Sequence, residues 1–206
     1  QISLLMDNRI LNLSMREADA AIRLYKPDQS DLSYTSLGKI NFHICGSKKY
    51  FKKYGTPESL KDLKNHVVIA YPENTVTPFE NPNWLLRKAN IETLNNPKLI
   101  QMNTLFGIHE AVRSHAGLAS IPDYMLHKVP EIESCLDNIT PLAVEIFYVY
   151  ASERKNSTRI KISSSGLCPG HCQRLWENWC PQTPGTPLLA VSAKISAFAS
   201  NSFFAD

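Results

Sequence analysis

LGKINFHICGSKKYFKKYGTPESLKDLKNHVVIAY (37–71) passes from strand to helix and back to strand in one short run. Leu37 to Cys45 alternates, with Ile40, Phe42 and Ile44 on one face, as a half-buried strand does. Gly46-Ser47 then opens a helix over Lys48 to Tyr54. Its aromatic residues Tyr50, Phe51 and Tyr54 share one face, with lysines around the other. Gly55 stands where a helix C-terminus prefers glycine. Thr56-Pro57-Glu58 predicts a second helix start: a capping hydroxyl, a proline at the first helical position and an acid near the positive dipole end. That helix ends by Asn65-His66. Val67 to Tyr71 is the next buried strand, stopped by Pro72.

The pattern continues on both sides. Upstream, Ala18 to Leu24 is a short apolar run ending in the breaker Lys26-Pro27-Asp28. Downstream, a Pro- and Asn-rich loop runs through Pro78, Pro82 and Trp84. Leu99 to Met102 is a strand candidate that leads directly into Asn103-Thr104. From there Leu105, Ile108, Ala111 and Val112 fall on one helical face, capped at Asn103 or Thr104. Ala116-Gly117 turns into a short strand ending at Pro122, and Val144 to Tyr150 is strongly β-prone. Alternating strands and helices predict an α/β fold with mostly parallel strands. Ligands in such folds gather at the carboxyl ends of strands and the amino ends of helices. Two places fit that rule, the turn at Asp7-Asn8 and the Met102-Asn103-Thr104 junction.

Composition narrows the class. The 206 residues are 43% hydrophobic and 20% charged, with a formal net charge of +3. That is ordinary globular usage, and the charge is too mild to imply a polyanionic partner for the chain as a whole. No apolar run reaches the ~18 residues that a bilayer crossing needs. The composition shifts near Ser163. Beyond it the only charged residues are Arg174, Glu177, Lys194 and Asp206, while Cys168, Cys172 and Cys180 gather there. With His171 these cysteines form a four-ligand set, but Cys-x-x-His-Cys-x7-Cys is not a usual zinc spacing. Residues 163–206 are therefore expected to be an atypical tail, frame-shifted or disordered, with no metal site.

ADAAIRL (18–24), the 37–71 stretch, NWL (83–85), HEAVRSHAGLASIPDYM (109–125) and EIFYVY (145–150), in this order, resemble the effector-binding domain of LysR-type transcriptional regulators. The resemblance covers residues 1–162. It implies an α/β fold like the type 2 periplasmic binding proteins, two subdomains joined by two crossover strands near 40–45 and 142–148. Subdomain I would be 1–43 plus 145–162, and subdomain II 44–144. It also implies a small polar or anionic effector in the interdomain cleft, bound by Asp7, Asn8 and Arg23 from one side. Tyr71, Asn103 and Thr104 would come from the other. Asp7 fits an anion poorly; it could instead pair with Arg23 or recognise an amine. Arg23 could equally be a surface ion pair, and Asn103 and Thr104 plain helix caps. The family further implies a cytoplasmic homodimer or homotetramer. DNA would be bound through an N-terminal winged helix-turn-helix that this sequence does not contain. The first strand and helix of the domain are also expected to be missing, leaving a chain of poor solubility.

Other chemistry is weak. KKYFKKY (48–54) mixes basic and aromatic residues as single-strand nucleic-acid surfaces do. Its aromatics share one face, so a core side and a solvated lysine side are expected. His66 and His115 sit near helix ends, where an imidazolium suits the dipole. G-x-S-x-G, H-E-x-x-H and P-loop motifs are absent from the body, so no catalysis and no cofactor are expected. A periplasmic solute-binding protein is the alternative on the same scaffold. A non-functional gene remnant is the other alternative, and an enzyme on the same scaffold is the weakest.

Overall fold

The computed structural model describes residues 2–6, 11–94, 96–126, 129–157, 160 and 191–195. Asp7, Asn8, Cys168, His171, Cys172 and Cys180 lie outside them, as does most of the expected tail. The chain divides into two compact units. The boundaries fall between Gly38 and Lys39 and between Glu145 and Ile146. Both fall inside long strands, β3 (Leu32–Ser47) and β8 (Leu142–Ala151), so two strands carry the chain from one unit to the other. The divisions expected from the sequence were 43/44 and 144/145, five residues after the first boundary and one before the second. Gly38 has φ +133°, a conformation that side-chain-bearing residues rarely adopt.

In the first unit β1 (Ile2–Met6), β9 (Val191–Ile195), β2 (Ala20–Arg23) and β8 follow one another in the sheet. Their pairings are antiparallel, with Leu4 opposite Ala193 and Ile22 opposite Tyr148. Strand β8 explains its own unbroken apolar run. Phe147 and Val149 pack with Leu13, Ala21 and Leu32 on one side, while Tyr148 and Tyr150 pack with Leu37 and Ile160 on the other. A strand buried on both faces has no polar alternation.

The second unit is built on β3, β6 (Leu118–Pro122), β4 (Val68–Ala70) and β5 (Leu99–Gln101), with β7 (Ile132–Ser134) on the other edge of β3. Ile69 lies opposite Ala119 and Ile100 in parallel register. Strands β6 and β7 run antiparallel to β3. The sheet is mixed, and among the described pairings antiparallel ones outnumber parallel ones, contrary to the expectation of mostly parallel strands. Strand β3 supplies two of those antiparallel pairings, with β6 and β7, and the other three join β1, β9, β2 and β8 in the first unit.

Helix α1 (Lys48–Tyr54) forms as its sequence predicts. Ser47 Oγ accepts from Tyr50 N–H, Gly55 at φ +82° ends the helix, and Tyr50 and Phe51 face the core. Tyr54 departs from its expected place in that face and is 55% exposed. The helix expected from Thr56 does not form. A single 3-10 turn, Asp62–Asn65, takes its place. The Asp62 carboxylate accepts from the Glu58 and Ser59 N–H groups and from the Ser59 hydroxyl. A side chain that folds back on the preceding backbone offers it an alternative to helix, as Asp does in turns. Helices α2 (Trp84–Ala89), α3 (Leu105–Arg113) and α4 (Asp123–Leu126) complete the unit. On α3, Leu105, Ile108, Ala111 and Val112 are all buried, as the periodicity requires. The core joins Ile44, Phe51, Leu63, Val68, Trp84 and Leu118.

Candidate functional site

Two parallel strands, β4 and β5, end together in the second unit, with β6 parallel to β4 on its other side. The Met102 N–H donates to the Ala70 carbonyl at 2.9 Å, which aligns the chain leaving β4 with the chain leaving β5. Tyr71 therefore stands beside the Met102-Asn103-Thr104 junction, and Ser120 of β6 lies across β4 from it. This is the strand end at which open α/β folds bind ligands.

Thr104 is the N-cap of α3: its backbone is extended and its Oγ1 accepts from Gly107 N–H at 3.1 Å. The Ile108 N–H donates to the Thr104 carbonyl. Helix geometry leaves the Leu105 and Phe106 amides without intrahelical acceptors, aimed out of the helix end where an anion is favoured. The Thr104 hydroxyl proton is still available to donate. Asn103 is exposed next to it.

Tyr71 is buried, and burial holds its phenol well above the ordinary range, so it is neutral and can donate. Its ring stands edge-on to Phe79, which in turn packs on Phe42. The backbone at Tyr71 is locked by one residue that sequence reasoning passed over. Asn83 Oδ1 accepts from Tyr71 N–H at 3.0 Å, and Asn83 Nδ2 donates to the Tyr71 carbonyl at 2.8 Å. Ser120 was also missed; its hydroxyl accepts from the Trp84 indole N–H at 2.7 Å. The proline-rich loop signalled only a turn at Asn83, and nothing marked Ser120. A cavity of about 10 Å³ beneath these groups is lined by Ala70, Tyr71, Asn83, Ile108 and Ser120, among others. It has room for about one water molecule and is not itself a ligand pocket.

Arg23, at the end of β2, belongs to the first unit. It is 5% exposed, its Nη2 donates to the Leu11 carbonyl at 3.1 Å, and its guanidinium lies 5.7 Å from the Tyr25 ring centre. A buried guanidinium on a carbonyl and an aromatic face is not the surface ion pair that sequence allowed for. The structure thus groups Tyr71, Asn103 and Thr104 at one strand end. Arg23 is held on its own unit.

The histidines behave differently from their sequence expectation. His66 is buried with Nδ1 3.3 Å from the Tyr50 hydroxyl, which also accepts from Val67 N–H. Burial lowers its pKa, so it disfavours the imidazolium expected at a helix end. His115, at φ +64°, has Nδ1 2.8 Å from the Ser47 hydroxyl and so braces the cap of α1. Cys45 and Cys135 are free and buried, which raises both thiols, Cys135 to about 12. Neither is a nucleophile at neutral pH. Among the described residues no group of three or more His, Cys, Asp or Glu side chains could hold a metal ion, and no helix is long and apolar enough to cross a membrane.

Two units joined by two long strands, with a capped helix following the strand ends of the second, define the class of α/β fold. The family model "LysR substrate binding domain" matches residues 1–161, and the chain belongs to that family. Among relatives, it is 27% identical over 130 residues to the HTH-type transcriptional regulator CrgA of Neisseria meningitidis, covering 61% of this chain and 41% of that protein. The chain thus spans about two fifths of the length of that relative. The CrgA regulatory domain from Neisseria meningitidis superposes with TM-score 0.59 at 20% identity, covering 76% of this chain and 77% of that one. The regulatory domain of the AphB variant C227S from Vibrio vulnificus gives TM-score 0.56 at 14% identity, covering 76% of each. The fold is that of LysR regulatory domains, the type 2 periplasmic-binding-protein-like α/β fold.

Proposed function

We propose that this chain is the effector-sensing part of a LysR-type DNA-binding transcriptional regulator, taking a small polar or anionic effector in its interdomain cleft. The observation that carries this is the convergence of Tyr71, Asn103 and Thr104 at the ends of β4 and β5, beside the α3 amino end. A neutral phenol, an amide, a hydroxyl and helix-end N–H groups are donors suited to carboxylate or amide oxygens. Asp7, Asn8 and Arg23 are proposed as the opposing set, on the family resemblance alone. The chain itself is proposed to do no chemistry, in keeping with relatives that are regulators rather than enzymes.

The effector would act by preferring one arrangement of the two units, since a ligand shifts an equilibrium only as far as its affinities differ. In the whole protein that shift would reach DNA through the helix-turn-helix implied by the names of its relatives, in a cytoplasmic homodimer or homotetramer.

The test is a melting-temperature screen of the chain with single amino acids, citrate, benzoate and other small carboxylates. A ligand at 100 times its Kd adds about 2.7 kcal/mol of stability. At least one member is expected to raise the melting temperature, and Asn103→Ala is expected to weaken it tenfold or more while melting normally without ligand. A panel with no effect, or an affinity unchanged by Asn103→Ala, would overturn the site.

A further inference from the structure

Charge is distributed unevenly along this chain. Residues 48–64 carry six lysines against Glu58 and Asp62, a net +4, whereas the whole chain is +3. The remaining residues therefore sum to −1, and the basic excess sits in one segment of the second unit. Lys48, Lys49, Lys52 and Lys53 are all exposed. At 100° per residue they occupy an arc of about 140°, opposite the buried Phe51.

Ion pairs among the described residues do not neutralise these charges. None of Lys48, Lys49, Lys52, Lys53, Lys61, Lys64 or Lys98 is in an ion pair with a described residue. Lys53 lies over the exposed Tyr54 ring at 4.9 Å, and the Lys98 amine donates to the Asn65 carbonyl at 3.1 Å. That last contact sets Lys98 beside Lys64. The Tyr50 hydroxyl, bonded to Val67 N–H, ties the same strip to α1. Glu131 and Glu133 of the neighbouring edge border the helix at its amino end, where the Glu131 carbonyl accepts from Lys48 N–H. The unopposed positive surface is thus the side of Lys49, Lys52 and Lys53. The Ser47 cap and the Tyr50 anchor hold it in place, so a partner meets a preformed array.

We propose that this face of α1 is a phosphodiester-binding surface that contacts the backbone of duplex DNA beyond the base-reading part of the regulator. The inference rests on the assignment of the chain to a DNA-binding regulator, which makes duplex DNA the polyanion within reach. Lysines on a short exposed helix act as point charges and carry no base code, so the contact is independent of sequence.

The test is fluorescence anisotropy of a labelled duplex of arbitrary sequence with the 1–206 chain, across a salt series. Weak binding is expected at about 50 mM salt, with log K falling against log[salt] at a slope near −3, since each neutralised phosphate contributes about −0.9. The triple variant Lys49→Gln/Lys52→Gln/Lys53→Gln should lose at least tenfold in affinity and most of that slope. Lys26→Gln/Lys39→Gln/Lys155→Gln, an equal loss of charge elsewhere, should change affinity less than threefold. No binding, an equal loss in both triple variants, or displacement by polyglutamate as effective as by unlabelled duplex would each overturn it; the last would assign the face to an acidic protein. The ligand-dependent melting shift of the lysine variant separates the two readings. DNA binding without a shift contradicts only the effector site, and a shift without DNA binding contradicts only this surface.

Discussion

At the scale of single residues, two buried imidazoles make stability depend on pH in a defined direction. His66 and His109 both have pKa values lowered in the fold, first by burial. Lys98 lowers that of His66 further while Asp62 opposes it; for His109, Glu110 opposes and Arg113 assists. His109 Nδ1 lies 3.2 Å from Glu110 Oε1, and its buried Nε2 has no hydrogen-bond partner among the described residues. The unfolded chain takes up protons at the ordinary value of 6.5 before the folded one does, so stability present above that value is lost as pH falls through it. Urea denaturation should give a lower free energy at pH 5.5 than at 7.5. His109→Leu should shrink that difference and leave stability at pH 7.5 unchanged or higher, because it removes an unsatisfied buried nitrogen. An unchanged pH dependence in the variant would contradict this role. None of this could be read from sequence, where a histidine near a helix end looks the same whether its ring is solvated or buried.

At the scale of elements, long periodic segments were legible and short ones were not. The faces of β3 and α3 follow from Ile40, Phe42 and Ile44 and from Leu105, Ile108 and Val112. Three-residue strands such as β7 carry no period to detect, and α2 begins in a loop whose prolines dominate the local signal. The Thr56-Pro57-Glu58 start misled because Asp62, three residues beyond Ser59, captures the Glu58 and Ser59 amides that a Thr56 cap would have accepted. The strand end was legible in part. Asn103 and Thr104 follow from where a strand meets a helix, whereas Tyr71 came only from the family resemblance. Asn83 and Ser120 depend on which groups they face, which only the fold determines. The turn into β6 offers a sharp test of packing. A Cβ on Gly117 would lie 2.5 Å from the Val67 carbonyl oxygen, and Leu118 N–H donates to that same oxygen. Backbone cannot yield as a side chain can. Gly117→Ala should cost about 1–3 kcal/mol in chemical denaturation, whereas a loss below ~0.5 kcal/mol, the level of an uninvolved surface site, would contradict the contact.

At the scale of the whole molecule, the two strands that pass between the units define how a ligand could act. Gly38 lies on the boundary within β3 at φ +133°, so the crossing is made by a residue free of the usual backbone restriction. The proposed regulator needs its effector to engage the strand-end groups of the second unit. That engagement is most directly visible in amide chemical shifts of the isotopically labelled chain, titrated with whichever small carboxylate stabilises it. The largest changes are predicted at Tyr71, Asn103 to Gly107 and Ser120, with the amides of α1 unmoved. Saturable changes confined to other elements, with those amides still, would contradict the site on which this account rests.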